Sequence, residues 1–160
     1  MNATAPAGAA ELKRELDQLI AQLLGAVSFD AGQTPRYRRL HDLFIEAGVL
    51  VNATGATPEV FGVDRFIETR MASFEAGTVT RYRVLELDAD SVSFGKVAHR
   101  QGVIAREGMA AGERFESRGM LFAQFVLTQA GWRFSSVAWD DLRPGVRLIA
   151  RSEPTEFGAY

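Results

Sequence analysis

The 160-residue sequence has no cysteine, which excludes disulfides, thiolate nucleophiles and cysteine-ligated metals. Histidine occurs only at His41 and His99. They are far apart in sequence, so no pair stands at zinc-ligand spacing and no metal is expected. Lysine is scarce: Lys13 and Lys96 are the only two among eighteen basic residues, a bias of GC-rich bacterial coding rather than of function. No apolar run reaches the roughly 20 residues that cross a bilayer. The first residues, MNATAPAGAAELKRELD, have no basic segment leading into an apolar one. A secretory signal is therefore not expected, a cytoplasmic location is, and the Asn2-Ala-Thr4 and Asn52-Ala-Thr54 sequons are discounted. Glycine-rich phosphate loops, a G-x-S-x-G elbow and an H-E-x-x-H pair are all missing, which removes support for nucleotide, serine-hydrolase and zinc-protease chemistry. The net charge is −2 and the basic residues are interleaved with acids, so neither nucleic acid nor a membrane surface is an expected partner.

What is present is a soluble-domain composition, 47 % hydrophobic and 24 % charged, in a length that suits one domain. The chain is organised around 113–141. Strand-like runs over 115–127 and 132–140 are joined by Thr128-Gln129-Ala130-Gly131, which reads as a hairpin. Strict alternation in the second run places Trp132, Phe134, Ser136 and Ala138 on one face and Arg133, Ser135, Val137 and Trp139 on the other, unless a bulge intervenes. The run MLFAQFVL over 120–127 is apolar on both faces except at Gln124. Both faces of the ribbon are then expected to be covered, one by helices and the other by a second subunit or the C-terminal tail.

Residues 1–8 read as a tail. Leu12, Leu16, Leu19, Ile20, Leu23 and Leu24 form one stripe of a helix over 9–24, stopped by Gly25. Thr34-Pro35 opens a second helix over 35–47, with Tyr37, Leu40 and Phe44 on one side. A short strand over 49–52 precedes a third helix over 58–76, which carries Val63, Phe66, Ile67, Arg70, Met71 and Phe74 on one face. The period then changes to two. Strands are predicted over 80–88 and 92–105, with a turn near Ala89-Asp90, and 108–112 links into the hairpin. Helices followed by a meandering antiparallel sheet mean an α+β domain over 9–144, with 145–160 as a tail.

Several stretches resemble the nuclear-transport-factor-2-like (NTF2-like) superfamily in its SnoaL-like bacterial branch. They are Phe94-Gly95-Lys96-Val97-Ala98-His99, Arg118-Gly119-Met120, Gln124-Phe125-Val126 and, most specifically, the run over 131–141, GWRFSSVAWDD. The resemblance implies a cone: three N-terminal helices packed in the concavity of a strongly curved, mainly antiparallel sheet, with a pocket at the open end. It also implies dimerisation through the outer sheet face, and activities that range from isomerases, dehydratases, cyclases and hydrolases to ligand binding and association. After Ala98-His99, relatives often continue with serine and Tyr-Glu. Here the run is Arg100-Gln101-Gly102, which removes hydroxyls from that position.

Three functions are compatible with these residues. One is a homodimer binding a small, largely apolar molecule in the cone. Its walls would come from Tyr37, Phe44, Phe66, Tyr82, Phe122 and Trp139, with Arg70 and Gln124 as polar contacts. Another is a cofactor-independent isomerase or dehydratase using His41, His99 or Asp140 as the proton-transfer group, which requires at least two of them to converge. The third is a non-catalytic association module. Each candidate has a plainer explanation: a solvated helix histidine for His41, a dimer contact for His99, a solvated strand end for Asp140, core packing for the aromatics, and a snorkelling side chain for Arg70. Asp42 and Asp64 are candidates only as helix-surface residues.

Overall fold

A computed structural model describes residues 7–148. Most of the two expected tails, residues 1–6 and 149–160, lie outside the described residues. The leucine stripe forms helix α1 (Ala7–Val27), with Leu16, Leu19, Ile20 and Leu23 buried. The helix starts inside the expected tail and continues through Gly25. An internal glycine costs only about 1 kcal/mol relative to alanine, and the next residue, Ala26, is buried in the core.

The second expected helix is replaced by a short 3-10 helix, Tyr37–Asp42, followed by strand β1 (Phe44–Asn52). Phe44 pairs with Phe134 across the sheet, with ring centroids 5.1 Å apart. Sheet pairing and this ring contact outweigh the weak helical periodicity of 44–47. The third expected helix is also shortened. Strand β2 (Glu59–Gly62) pairs with β1 and buries Phe61, and only then does α2 (Val63–Glu75) begin. The helical layer among the described residues is thus two α-helices and a 3-10 turn rather than three long helices.

Four long strands follow: β3 (Val79–Phe94), β4 (Val97–Ala110), β5 (Glu113–Thr128) and β6 (Gly131–Asp141). The curved open sheet has the order β2-β1-β6-β5-β4-β3, all antiparallel except β1 with β6. The turn expected at Ala89-Asp90 is instead a disturbance within β3. The register shifts between Glu86 and Asp88, and the Asp88 carboxylate accepts the Ala89 N–H at 3.0 Å. Local side-chain capping by aspartate mimics a turn in sequence while the strand continues. The actual reversal falls at Gly95, whose φ of 57° suits glycine.

The hairpin of β5 and β6 forms where expected, but its faces do not. Gln124 lies opposite Ser136 and Phe125 opposite Phe134, leaving Ser135 without a counterpart. This bulge restarts the alternation. Trp132 and Phe134 before it, and Val137 and Trp139 after it, all face the helices and join or pack against the core. Both tryptophans therefore lie on the concave side, contrary to strict alternation. The same parity runs through Ala98, Arg100 and Ile104 of β4 and Leu121, Ala123 and Phe125 of β5, all buried. At Gly119 a Cβ would stand 2.0 Å from the Asp140 carbonyl oxygen, so the strands approach there at a distance only glycine permits.

Candidate functional site

The concave face leaves a cavity of about 50 Å³ under the C-terminal half of α1. Leu23, Leu24 and Val27 close it from the helix side. Leu50, Ile104, Leu121, Val137 and Trp139 form the sheet side, and Phe66 meets the Trp139 ring edge-on at 6.3 Å. Tyr82, Arg106 and the indole of Trp139 are the polar side chains among the described residues on its border. A second chamber, also about 50 Å³, lies beyond Tyr82 and Val27. Its other walls are Tyr37, Arg70, Ser73 and Val79. Tyr82 and Val27 thus border both chambers.

Arg106 is the polar anchor. Its guanidinium donates to the Asp141 carboxylate, which projects from the end of β6 on the concave side. Burial works against the charged guanidinium most strongly, but the neighbouring Tyr82 and Asp141 outweigh it and hold its pKa above the usual arginine value. Nε of Arg106 is buried and has no partner among the described residues. A buried donor without an acceptor is unfavourable by about 1 to 3 kcal/mol, which a bound acceptor oxygen would relieve. In the second chamber, burial pushes the Tyr37 phenol up to about 12, with the Arg70 charge opposing and Tyr82 reinforcing the shift. Arg70 itself lies over the Phe66 ring at 5.0 Å.

The residues singled out from sequence divide into groups. Tyr82 and Trp139 meet at the first chamber, and Tyr37, Arg70 and Tyr82 at the second. Phe44 and Phe66 are core residues, against Phe134 and Trp139 respectively. Phe122 and Gln124 face outward on β5. The Gln124 amide nitrogen lies 2.8 Å from His99 Nδ1, and the His99 ring is 5.7 Å from that of Phe122. His41 lies 3.3 Å from Asp64, bordering an exposed groove with Glu68 and Met71. Asp140 points to the outer side and is bonded to Arg143. Its carboxyl is held below the usual range, first by that hydrogen bond and then by the Asp141 N–H. His41, His99 and Asp140 thus have separate surroundings and form no convergent acid–base pair.

Sequence reasoning passed over Arg106, Asp141 and Arg100. The signal was parity: Ala98, Arg100, Gly102, Ile104, Arg106 and Gly108 share one phase of β4. An arginine in the buried phase demands a carboxylate partner. Arg100 is only 6 % exposed. It binds Glu86 through Nη2 at 2.5 Å and Nε at 3.1 Å, and Asp17 of α1 through Nη1 at 2.6 Å. Ser91 accepts a further bond at 3.1 Å.

No protein-family model matches the sequence. Solved structures do match. An NTF2-like superfamily protein from Salmonella enterica is 14 % identical over 86 % of this chain and 96 % of its own, with a TM-score of 0.71. A Novosphingobium aromaticivorans protein provisionally named an aromatic ring hydroxylase is 19 % identical over 88 % and 94 %, with a TM-score of 0.68. Another from that organism, provisionally named a scytalone dehydratase, is 12 % identical over 84 % and 86 %, with a TM-score of 0.67. At these identities the likeness concerns fold: the chain has the NTF2-like cone fold. No helix among the described residues is long and apolar enough to cross a membrane.

Proposed function

We propose that the protein binds a small, largely apolar molecule carrying an acceptor oxygen, such as a phenol or an aromatic carboxylate, inside the cone. The supporting observation is an apolar cavity bordered by an arginine whose buried Nε donor is unspent. The oxygen would take that donor, and the ring would lie between Trp139 and the leucines of α1. Each chamber alone is far below the roughly 300 Å³ of ordinary ligand pockets. Binding is taken to require Tyr82 to swing aside, which joins the two chambers and frees the space of its own ring, room for a single-ring ligand and no larger one. Tyr82→Ala is expected to tighten phenol or benzoate binding about tenfold, equivalent to about 1.4 kcal/mol, and Arg106→Met to weaken it by a similar factor. Isothermal titration calorimetry decides: if neither the natural protein nor Tyr82→Ala binds any ring compound at millimolar concentration, the reading is wrong. The structural neighbours named as a dehydratase and a hydroxylase keep ring compounds within the chemistry this fold accepts, without transferring an activity to this chain.

We also infer that two copies meet through the outer sheet face. Val92, Phe94, Val97 and Phe122 share that face and are 66 %, 87 %, 52 % and 37 % exposed. They lie around the His99–Gln124 pair, an apolar row that water alone covers poorly. Sedimentation equilibrium is expected to give a dimer at about 50 µM, and Phe122→Glu a monomer, because the new carboxylates would face each other or an apolar surface. A monomeric natural protein at that concentration contradicts the inference.

A further inference from the structure

Two buried side-chain polar atoms among the described residues have no hydrogen-bond partner: Nε of Arg106 and Oγ of Ser117. The register makes them neighbours. Arg106 of β4 stands directly opposite Ser117 of β5. Residues so paired project from the same face, with Cβ atoms about 5 Å apart. That face is the concave one, because Ser117 keeps the parity of the buried Leu121, Ala123 and Phe125. The two atoms do not satisfy each other, although Nε is a donor and a serine hydroxyl can donate or accept. Tyr82 closes this corner from the β3 side. It is hydrogen-bonded to Arg106, its ring lies 6.1 Å from that of Phe115, and it borders both chambers.

Each unpartnered buried group opposes folding, and one oxygen placed between the two would relieve both. Resting on the cone as a site for ring compounds, we propose that Arg106 and Ser117 together select the ligand: a ring bearing a neutral hydroxyl, as phenol does, in preference to a ring carboxylate. The movement of Tyr82 that joins the chambers uncovers the pair. The ligand oxygen then accepts from Arg106 Nε, and its proton goes to Ser117 Oγ, so a single atom satisfies both groups. Charge decides against the carboxylate. The Arg106 guanidinium is already matched by the Asp141 carboxylate. A second anion at Nε would sit beside Asp141, with no further cation among the described residues on the border of that chamber. Arg70 borders the second chamber and lies over the Phe66 ring. A carboxylate held there would leave Arg106 Nε and Ser117 Oγ unsatisfied.

Calorimetric titration of the full chain at pH 7 with phenol, benzoate and toluene tests this. Phenol is expected to bind at least tenfold more tightly than benzoate. Ser117→Ala is expected to cut the preference for phenol over toluene at least fivefold, because only phenol has a hydroxyl that loses its partner. The same variant should melt no lower than the natural protein, since it removes a hydroxyl that has no partner within the fold. Asp141→Asn, which leaves the charge of Arg106 unmatched, is expected to shift the phenol-to-benzoate ratio at least tenfold toward benzoate. Four results would each overturn the proposal while leaving the cone as a ring-compound site: benzoate bound as tightly as phenol by the natural protein, an unchanged phenol-to-toluene ratio in Ser117→Ala, a lower melting temperature of that variant, or an unchanged phenol-to-benzoate ratio in Asp141→Asn. Absence of binding by all three compounds would remove the cone site itself, and the proposal with it.

Discussion

Arg100→Met is expected to lower the unfolding free energy by about 3 to 5 kcal/mol, the usual cost of removing one partner from a buried ion pair. The loss comes from the carboxylates left behind more than from the arginine. The Glu86 side chain is 16 % exposed and loses both bonds of its fork, whereas that of Asp17 is 38 % exposed, can return to water and keeps Lys13 at 2.9 Å. Burial is the largest influence on Asp17 and raises its pKa, but hydrogen bonds from Lys13 and Arg100 outweigh it and depress the carboxyl. Its contribution is therefore present above the ordinary aspartate value and fades as pH falls through the depressed one. Methionine fills much of the arginine's volume, so the loss is electrostatic rather than a cavity effect. Adding Glu86→Gln to Arg100→Met should recover more than half of the deficit. Urea denaturation of the two variants checks both numbers. A single-variant loss under about 1 kcal/mol would mean the cluster is solvated.

Alkaline unfolding provides the second large effect. The Tyr37 phenol has its pKa raised from 10.0 to about 12 in the folded protein, chiefly by burial. A raised folded value means that the unfolded chain ionises first. Stability is intact well below pH 10, declines as pH rises, and has lost most of the increment at pH 12, the rest going above it. Two pKa units correspond to about 2.7 kcal/mol, and about half of this is gone at pH 11. Tyr37→Phe has no proton to lose, so the natural protein should lose about 2 kcal/mol of unfolding free energy relative to the variant between pH 9 and 12. A constant difference across that range would mean the phenol is solvated or ionises normally inside the fold.

The parts of this molecule legible in the sequence are those where one local pattern agrees with its tertiary use. The α1 stripe, the hairpin with its Gly131 turn and the helix-then-sheet order are of that kind. The failures have particular causes. Phe44 belongs to a strand because Phe134 pairs with it, a partner distant in sequence. Asp88-Ala89-Asp90 carries turn chemistry yet sits in a bulge, since a carboxylate can cap an N–H without reversing the chain. Ser135 shifts the hairpin by one residue, which brings Trp139 inside and exchanges the roles of Asp140 and Asp141. Arg100 and Arg106 were visible as arginines in the apolar phase of β4. Their carboxylate partners on α1, β3 and β6 were not, because pairing across elements leaves no trace in local spacing. His99 and Gln124 lie opposite each other on β4 and β5, a cross-strand pairing that local spacing does not reveal.

The central claim is a ligand site inside the cone, and the indole N–H signals of the two tryptophans provide its most direct measurement. Trp139 borders the first chamber, while Trp132 is buried elsewhere on the same face. In a phenol titration followed by nitrogen-15 NMR, the account predicts saturable shifts of the Trp139 indole and of Arg106 Nε, with Trp132 unmoved. Shifts confined to Gln124 and the outer face, or a Trp139 signal that stays in place at saturating phenol, would contradict it.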